Sequence, residues 1–445
     1  MQVASTTDPA ASERSAGGGS LLARLNNPIP VGLIGFIGWL IYVVLRWQVW
    51  AKGHISLFIM SGSNNKYSHP LHMFPKISHV PSTGYDGQFY YRFAFNPFNW
   101  NPDAYGITVD HNYRYTRIGY SLVAYVLSLG GHGRLLPTVL VVINLVCVGI
   151  MAYLGARLAR ESGRHALWGL LFVAYFGLAI SVGRDTSEPL ADACMLGGLL
   201  AYRHSRYILA ALLVAYGVFT NEPILILSVA IALVRLYQFW LKRAKPGAAD
   251  LIWVLPGAVY VLLELAEKVV VKGKSSGAAD AAANLTLPFK AMIPALYRDV
   301  THLGTSHTGS LYDYNTIEFI ALAVVIVAAL LVIRASAATL YEKAAFVGFV
   351  LVELVIASGQ FWDSTFGDGR TYIDAFLLAV LLLLATPAGA ITDAARSAHA
   401  SIMSRVFAEN RGITNKRLAW IMAPALVVLV LVGFRHIFLG FVNSQ

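Results

Sequence analysis

Charge is what this chain has least of. Only 13% of its 445 residues are Asp, Glu, Lys or Arg, and 57% are hydrophobic. A soluble domain carries about a quarter charged residues, so most of this chain cannot face water. Cysteine is nearly missing as well: Cys147 and Cys194 both fall in apolar stretches and so point to neither a disulfide framework nor a cysteine metal site. No Walker-type or Rossmann glycine pattern occurs, so there is no ready-made nucleotide cradle. Nor is there an internal repeat of the kind from which many transporters are built. The first 30 residues have Arg14 and Arg24 but no apolar core, which argues against a cleavable signal; their Ser, Ala and Gly content reads as a disordered cytoplasmic tail.

What the chain does have is apolar runs near the 20 residues that a spanning helix needs. Such runs lie at 31–50, 135–156, 166–183, 188–202, 207–220, 223–241, 250–270, 315–333, 343–361, 371–387 and 418–438. The fold class expected is therefore an all-α polytopic membrane protein of about eleven spans, a single transmembrane domain over 31–445. The pI near 9.5 does not point to nucleic acid, because the basic residues sit between apolar runs, where they set membrane orientation. With the N-terminus inside, the short inner segments hold Arg157, Arg160, Arg164, Arg203, Arg206, Lys242, Arg243, Lys245, Arg334 and Lys343, whereas the short outer ones hold only Arg184, Arg370 and Arg435. Were the apolar stretch 118–130 also to span, every later loop would invert and the basic loops would lie outside. It reads instead as an interfacial or re-entrant helix.

Two long segments, 51–134 and 271–314, then lie outside. Loops this long generally carry function or are disordered, and the first is too rich in Tyr, Phe, His and Asn for disorder. It contains Tyr85-Asp86-Gly87-Gln88-Phe89-Tyr90-Tyr91. A carboxylate at Asp86 suits a general base on a hydroxyl, with Tyr85, Gln88 and Tyr91 beside it as substrate contacts; Asp-Gly is also a common turn. At other outer turns stand Arg184-Asp185-Thr186-Ser187-Glu188-Pro189, Glu222 before Pro223, and Asp363, Asp368 and Arg370. Arg117, Arg184 and Arg370 are candidates for a phosphate; Asp185, Glu188, Glu222 and Asp368 are candidates for substrate hydroxyls, although several of these residues also fit helix caps. Asp110, His111 and Arg114 precede 118–130 with Arg117 and suit a lipid phosphate. Tyr297, Arg298, Asp299 and His302 close the second loop and could order against substrate. His54, His69, His72 and His79 have no compact zinc spacing, so no metal ligand is assigned. Asp192, Glu264, Glu353 and Asp374 fall inside spans, where charge must face a cavity or the bundle interior.

A cytoplasmic N-terminus, one span, a large outer loop with an early Asp-Gly and aromatics, interfacial helices, and then many spans with acidic and Arg residues at outer turns resemble the GT-C superfamily of integral-membrane glycosyltransferases. The architectural likeness covers most of the chain; the motif likeness is confined to Asp86 and its neighbours and, more loosely, to Arg184 through Glu188. The resemblance implies a sugar of mannose or arabinose type moving from a polyprenyl-phosphate donor to a hydroxyl of a glycolipid, glycan or protein. It implies Asp86 as base, outer-face arginines on the donor phosphate, membrane lipids as surroundings, and a bacterial plasma membrane with the site on its extracytoplasmic side. It names no tightly held cofactor and leaves use of a divalent ion open. The competing class is a polytopic lipid or sugar transporter or flippase, which predicts a charged path through the midplane.

Overall fold

The computed structural model describes residues 21–73, 76–271, 285–303, 309–356, 368–387 and 413–438. Residues 1–20 of the expected tail, the Lys274-Ser275-Ser276 start of the second long loop and Asp363 lie outside them. The described chain is mostly helical, with little sheet. All eleven apolar runs contain helix. Six helices are long and apolar enough to cross a membrane: Pro28–Val49, Leu136–Glu161, Glu222–Trp240, Ala248–Val270, Asn315–Val332 and Asn415–Arg435. A seventh crossing arises if Ala166–Val173 and Phe176–Gly183 count as one span, but these meet at a 58° bend. The eleven-span count is not reached by that measure, since the helices over 188–203, 207–220, 340–354 and 373–384 are shorter. The stretch 118–130 holds one nine-residue helix, Gly119–Leu127, about 14 Å long at 1.5 Å per residue and too short to cross.

Local chemistry explains where these helices begin. Asn27 caps Pro28–Val49 by accepting from the Ile29 N–H at 3.0 Å, and proline stands in the first turn. Thr339 and Glu342 form a reciprocal capping box on Leu340–Leu354, satisfying two otherwise orphaned backbone donors. Pro137, Pro189 and Pro223 likewise occupy first turns, positions that need no N–H donor. Between helices, small residues permit close approach, as is common where lipid supplies no hydrophobic drive. A Cβ at Gly32 would lie 3.0 Å from Tyr153 Cβ and 3.2 Å from the Gly149 carbonyl, which fixes Pro28–Val49 against Leu136–Glu161. The 166–183 run, expected as one helix, breaks instead: Ala166–Val173 is a 3-10 turn pressed on the Gly155–Ala156 backbone, and Tyr175 is extended before the next helix starts.

The two ends of the bundle differ. At one, Arg203 pairs with Glu342 at 2.6 Å and with Glu161 at 3.2 Å, Arg235 pairs with Asp250 at 2.7 Å, and Arg164 donates to the carbonyls of Leu384, Thr386 and Ile413. At the other lies the first long loop, folded on the ends of Pro28–Val49 and Phe176–Gly183. Its tip is a two-residue hairpin in which Tyr105 and Gly106 both have positive φ, 55° and 75°, between paired Asp103–Ala104 and Ile107–Thr108, the turn geometry that suits strand twist. At Gly87, a Cβ would overlap the Arg184 carbonyl and sit 2.6 Å from that of Ile59, so the loop helix meets two backbones there. Gly87→Ala is expected to destabilise the protein by about 1–3 kcal/mol through overpacking against atoms that cannot rotate away; a thermal melt in detergent that matches wild type would refute this close approach.

Candidate functional site

Asp86 sits at the N-terminus of the helix Gly87–Phe95 without using its side chain as a cap. Its carboxylate is held between two guanidiniums. Arg114 Nη1 donates to Oδ1 at 2.8 Å, and Arg370 Nη2 donates to Oδ2 at 2.7 Å. Arg114 also pairs with Asp110 and lies 3.8 Å above the Phe89 ring. Arg370 reaches further, placing Nε 3.3 Å from Glu188 Oε1. The Tyr85 ring stands under both Arg184, 4.1 Å from its centroid, and Arg370, at 5.1 Å. A separate pair, Arg117 with Glu222, is bidentate and joins the loop to the turn before Pro223.

Burial alone would raise the Asp86 carboxyl, but Arg114 and Arg370 overcome it and hold the group well below the usual carboxylate range. A group whose folded pKa is depressed stabilises the fold above its unfolded value, near pH 4. That contribution is lost only as pH falls through the lower folded value, so acid should not open this clamp until far below pH 4. The same arrangement makes the resting carboxylate a weak base. Its basicity depends on a guanidinium moving to another anion.

Arg370 is placed for such an exchange. It lines a cavity of about 1230 Å³, and its Nη1 has no hydrogen-bond partner among the described residues. Tyr113, Arg117, Glu188, Asn221 and Glu222 share this end of the cavity. From there it runs along the helices Leu225–Trp240 and Leu340–Leu354, past Leu225, Ile226, Val229, Leu233, Val347 and Val352, to Arg334 and Lys343. From Glu222 to Leu233 is about 16 Å of helix at 1.5 Å per residue. The wall is a side seam rather than a closed tube, since Val229, Leu233, Leu340 and Leu351 are each more than half exposed.

The structure thus gathers Tyr85, Asp86, Arg117, Arg184, Asp185, Glu188, Glu222 and Arg370 at one end of the bundle, but their surroundings differ. Of the three phosphate candidates, Arg117 and Arg370 line the cavity, whereas Arg184 is stacked on Tyr85 and is absent from its wall. Asp185 is fully buried, with φ 49° and neither carboxyl oxygen hydrogen-bonded among the described residues. Gln88 is occupied within the loop, accepting from Ser68 and the Gly62 N–H and donating to the Thr83 carbonyl. Tyr91 is 1% exposed and packs edge-on against Phe95, so neither it nor Gln88 faces the cavity. His302 is exposed, donates from Nδ1 to the Arg298 carbonyl at 2.7 Å, and is not part of the cavity wall. The Asp368 side chain lies outside the described residues. Arg114 is the residue the sequence undervalues: its place beside Asp110 and His111 suits a lipid phosphate, and its pairing with Asp86 carries no sequence signal. Among the described residues no group of three His, Cys, Asp or Glu is arranged for a metal. No protein-family model matches the chain, nor does any curated protein or solved structure.

Removing one partner of a largely buried ion pair leaves an uncompensated charge and costs about 3–5 kcal/mol. Arg117→Ala and Glu222→Ala should each destabilise on that scale, and the double variant by clearly less than their sum. Additive losses in urea or thermal unfolding would mean that the two side chains do not interact.

Proposed function

We propose that this integral membrane protein is a glycosyltransferase of GT-C type that takes a sugar from a polyprenyl-phosphate donor and transfers it to a hydroxyl acceptor. The observation that carries this reading is the two-part cavity: guanidiniums and carboxylates at one end, apolar walls for the length of two helices. An amphiphile with an anionic head and a long hydrocarbon tail fits both parts. A nucleotide-sugar donor, by contrast, has no use for the apolar length.

In this reading the tail lies in the seam and the phosphate meets Arg370, whose Nη1 has no partner among the described residues and whose grip on Asp86 loosens as the phosphate takes its place. Asp86 then accepts the proton of the acceptor O–H while that oxygen bonds to the anomeric carbon. The anomeric C–O bond breaks with its electron pair going to the lipid phosphate, which Arg370 stabilises as charge develops. Direct displacement inverts the anomeric centre. Arg114 keeps Asp86 oriented throughout.

Two measurements test the roles. With radiolabelled polyprenyl-phosphate sugars and membrane-lipid acceptors, Asp86→Asn should lower transfer by about 10²–10⁴, the usual reach of a general base; undiminished transfer removes Asp86 from that role. Arg114→Gln should raise the Asp86 pKa and move the acid limb of kcat/KM upward by about one unit or more, the effect of losing one neighbouring cation. An unmoved limb would detach Arg114 from the base.

One observation favours a second reading. The same cavity is bounded at its far end by Arg334 and Lys343, so an anionic head could be held at either end, as in a lipid transporter. Reconstituted protein that moves a fluorescent polyprenyl phosphate between leaflets, with no transfer from any donor, would establish transport instead.

A further inference from the structure

Three carboxyl groups in the cavity wall have no part in the clamp on Asp86. Asp192 comes from Glu188–Arg203, Glu353 from Leu340–Leu354 and Asp374 from Ile373–Leu384. All three line the cavity, and they are only 2%, 8% and 5% exposed. Each leaves an oxygen without a hydrogen-bond partner among the described residues: Asp192 Oδ2, Glu353 Oε1 and Asp374 Oδ1. Glu342 is matched by Arg203 and Asp250 by Arg235, whereas Asp185 and Glu318, whose oxygens also lack partners among the described residues, are not part of the cavity wall. An unsatisfied buried acceptor is costly, and three of them from three helices on one cavity mark a place where a ligand completes the bonding.

The chemistry of the trio narrows the ligand. The open carboxyl oxygens of Asp192, Glu353 and Asp374 are acceptors, so a ligand that fills them must donate hydrogen bonds. Three carboxyls together repel a phosphate, which leaves the anion to Arg370, whose Nη1 has no partner among the described residues. The groups are not arranged as a metal site among the described residues. Vicinal hydroxyls, each a donor and an acceptor, match what is left open.

We propose that Asp192, Glu353 and Asp374 form a subsite for the hydroxyls of a sugar ring, placed beside Glu188 and Arg370 so that the ring adjoins the phosphate. The adjoining phosphate rests on the donor assignment above; the hydroxyl subsite itself does not. The trio reads the sugar, and Arg370 reads the phosphate.

The test uses the full chain in nanodiscs and three probes: polyprenyl monophosphate, polyprenyl-phosphate mannose and polyprenyl-phosphate arabinose. Glu353→Gln and Asp374→Asn should weaken the better-bound sugar-bearing probe about tenfold, the scale of one hydrogen bond to a charged group, and leave the sugar-free probe within about twofold. Arg370→Gln should weaken all probes alike. Equal losses for sugar-bearing and sugar-free probes overturn the subsite, as does unchanged binding with a lowered melting temperature, which marks a packing role. Methyl mannoside and methyl arabinofuranoside, followed by saturation-transfer NMR, separate this claim from the donor assignment. Glycoside contacts that Glu353→Gln abolishes support the subsite even where no polyprenyl phosphate binds, and a wild type with no glycoside contact overturns it.

Discussion

The arrangement hinges on one carboxylate shared by two guanidiniums. Asp86 lies in the first loop, Arg114 is 28 residues on and Arg370 is 284 residues on. These three groups are at most 18% exposed, a burial that each would resist alone and that becomes tolerable only together, since an unmatched buried charge is among the costliest defects a fold can carry. Arg370 extends the tie to Glu188 and stacks on Tyr85, and the helix that begins beside Asp86 touches the backbone of Arg184. Loop, bent helix and the short Asp368–Thr371 turn are thereby held in one place. Whatever else the bundle does, its polar end cannot rearrange without breaking this set.

The cavity beneath adds a second constraint, because it joins two solvents. Near Arg370 it offers charge and hydrogen bonds; further along the Leu225–Trp240 helix it offers aliphatic surface. A small polar ligand would waste the long wall, and a plain hydrocarbon would leave the charged end unmatched. A molecule divided in the same proportion, such as the phosphate-bearing lipid proposed above, matches both parts.

The helices were legible in the sequence because a bilayer demands runs of fixed length, and the excess of Arg and Lys on alternate turns put Arg184, Glu188, Glu222 and Arg370 at one end. The pairings were not legible. Arg117 meets Glu222 across 105 residues, and neither periodicity nor spacing encodes such a contact. The bend between Val173 and Phe176 was hidden by an unbroken apolar run that scores as one span. Nearness to Asp86 suggests ligand contacts for Gln88 and Tyr91, yet the helix Gly87–Phe95 is buried on every side and neither residue lines the cavity. Asp192, Glu353 and Asp374 appeared as scattered charges because their helices are distant in sequence, and only packing brings them to one cavity.

The seam beside Val229, Leu233, Leu340 and Leu351 has a kinetic meaning. A ligand that enters sideways between helices searches in two dimensions, and its encounter rate follows the number of molecules per unit area of bilayer rather than per unit volume of water. Occupancy of such a site responds to dilution by other lipids, to leaflet and to tail length. It is blind to the bulk concentration by which soluble enzymes are usually judged.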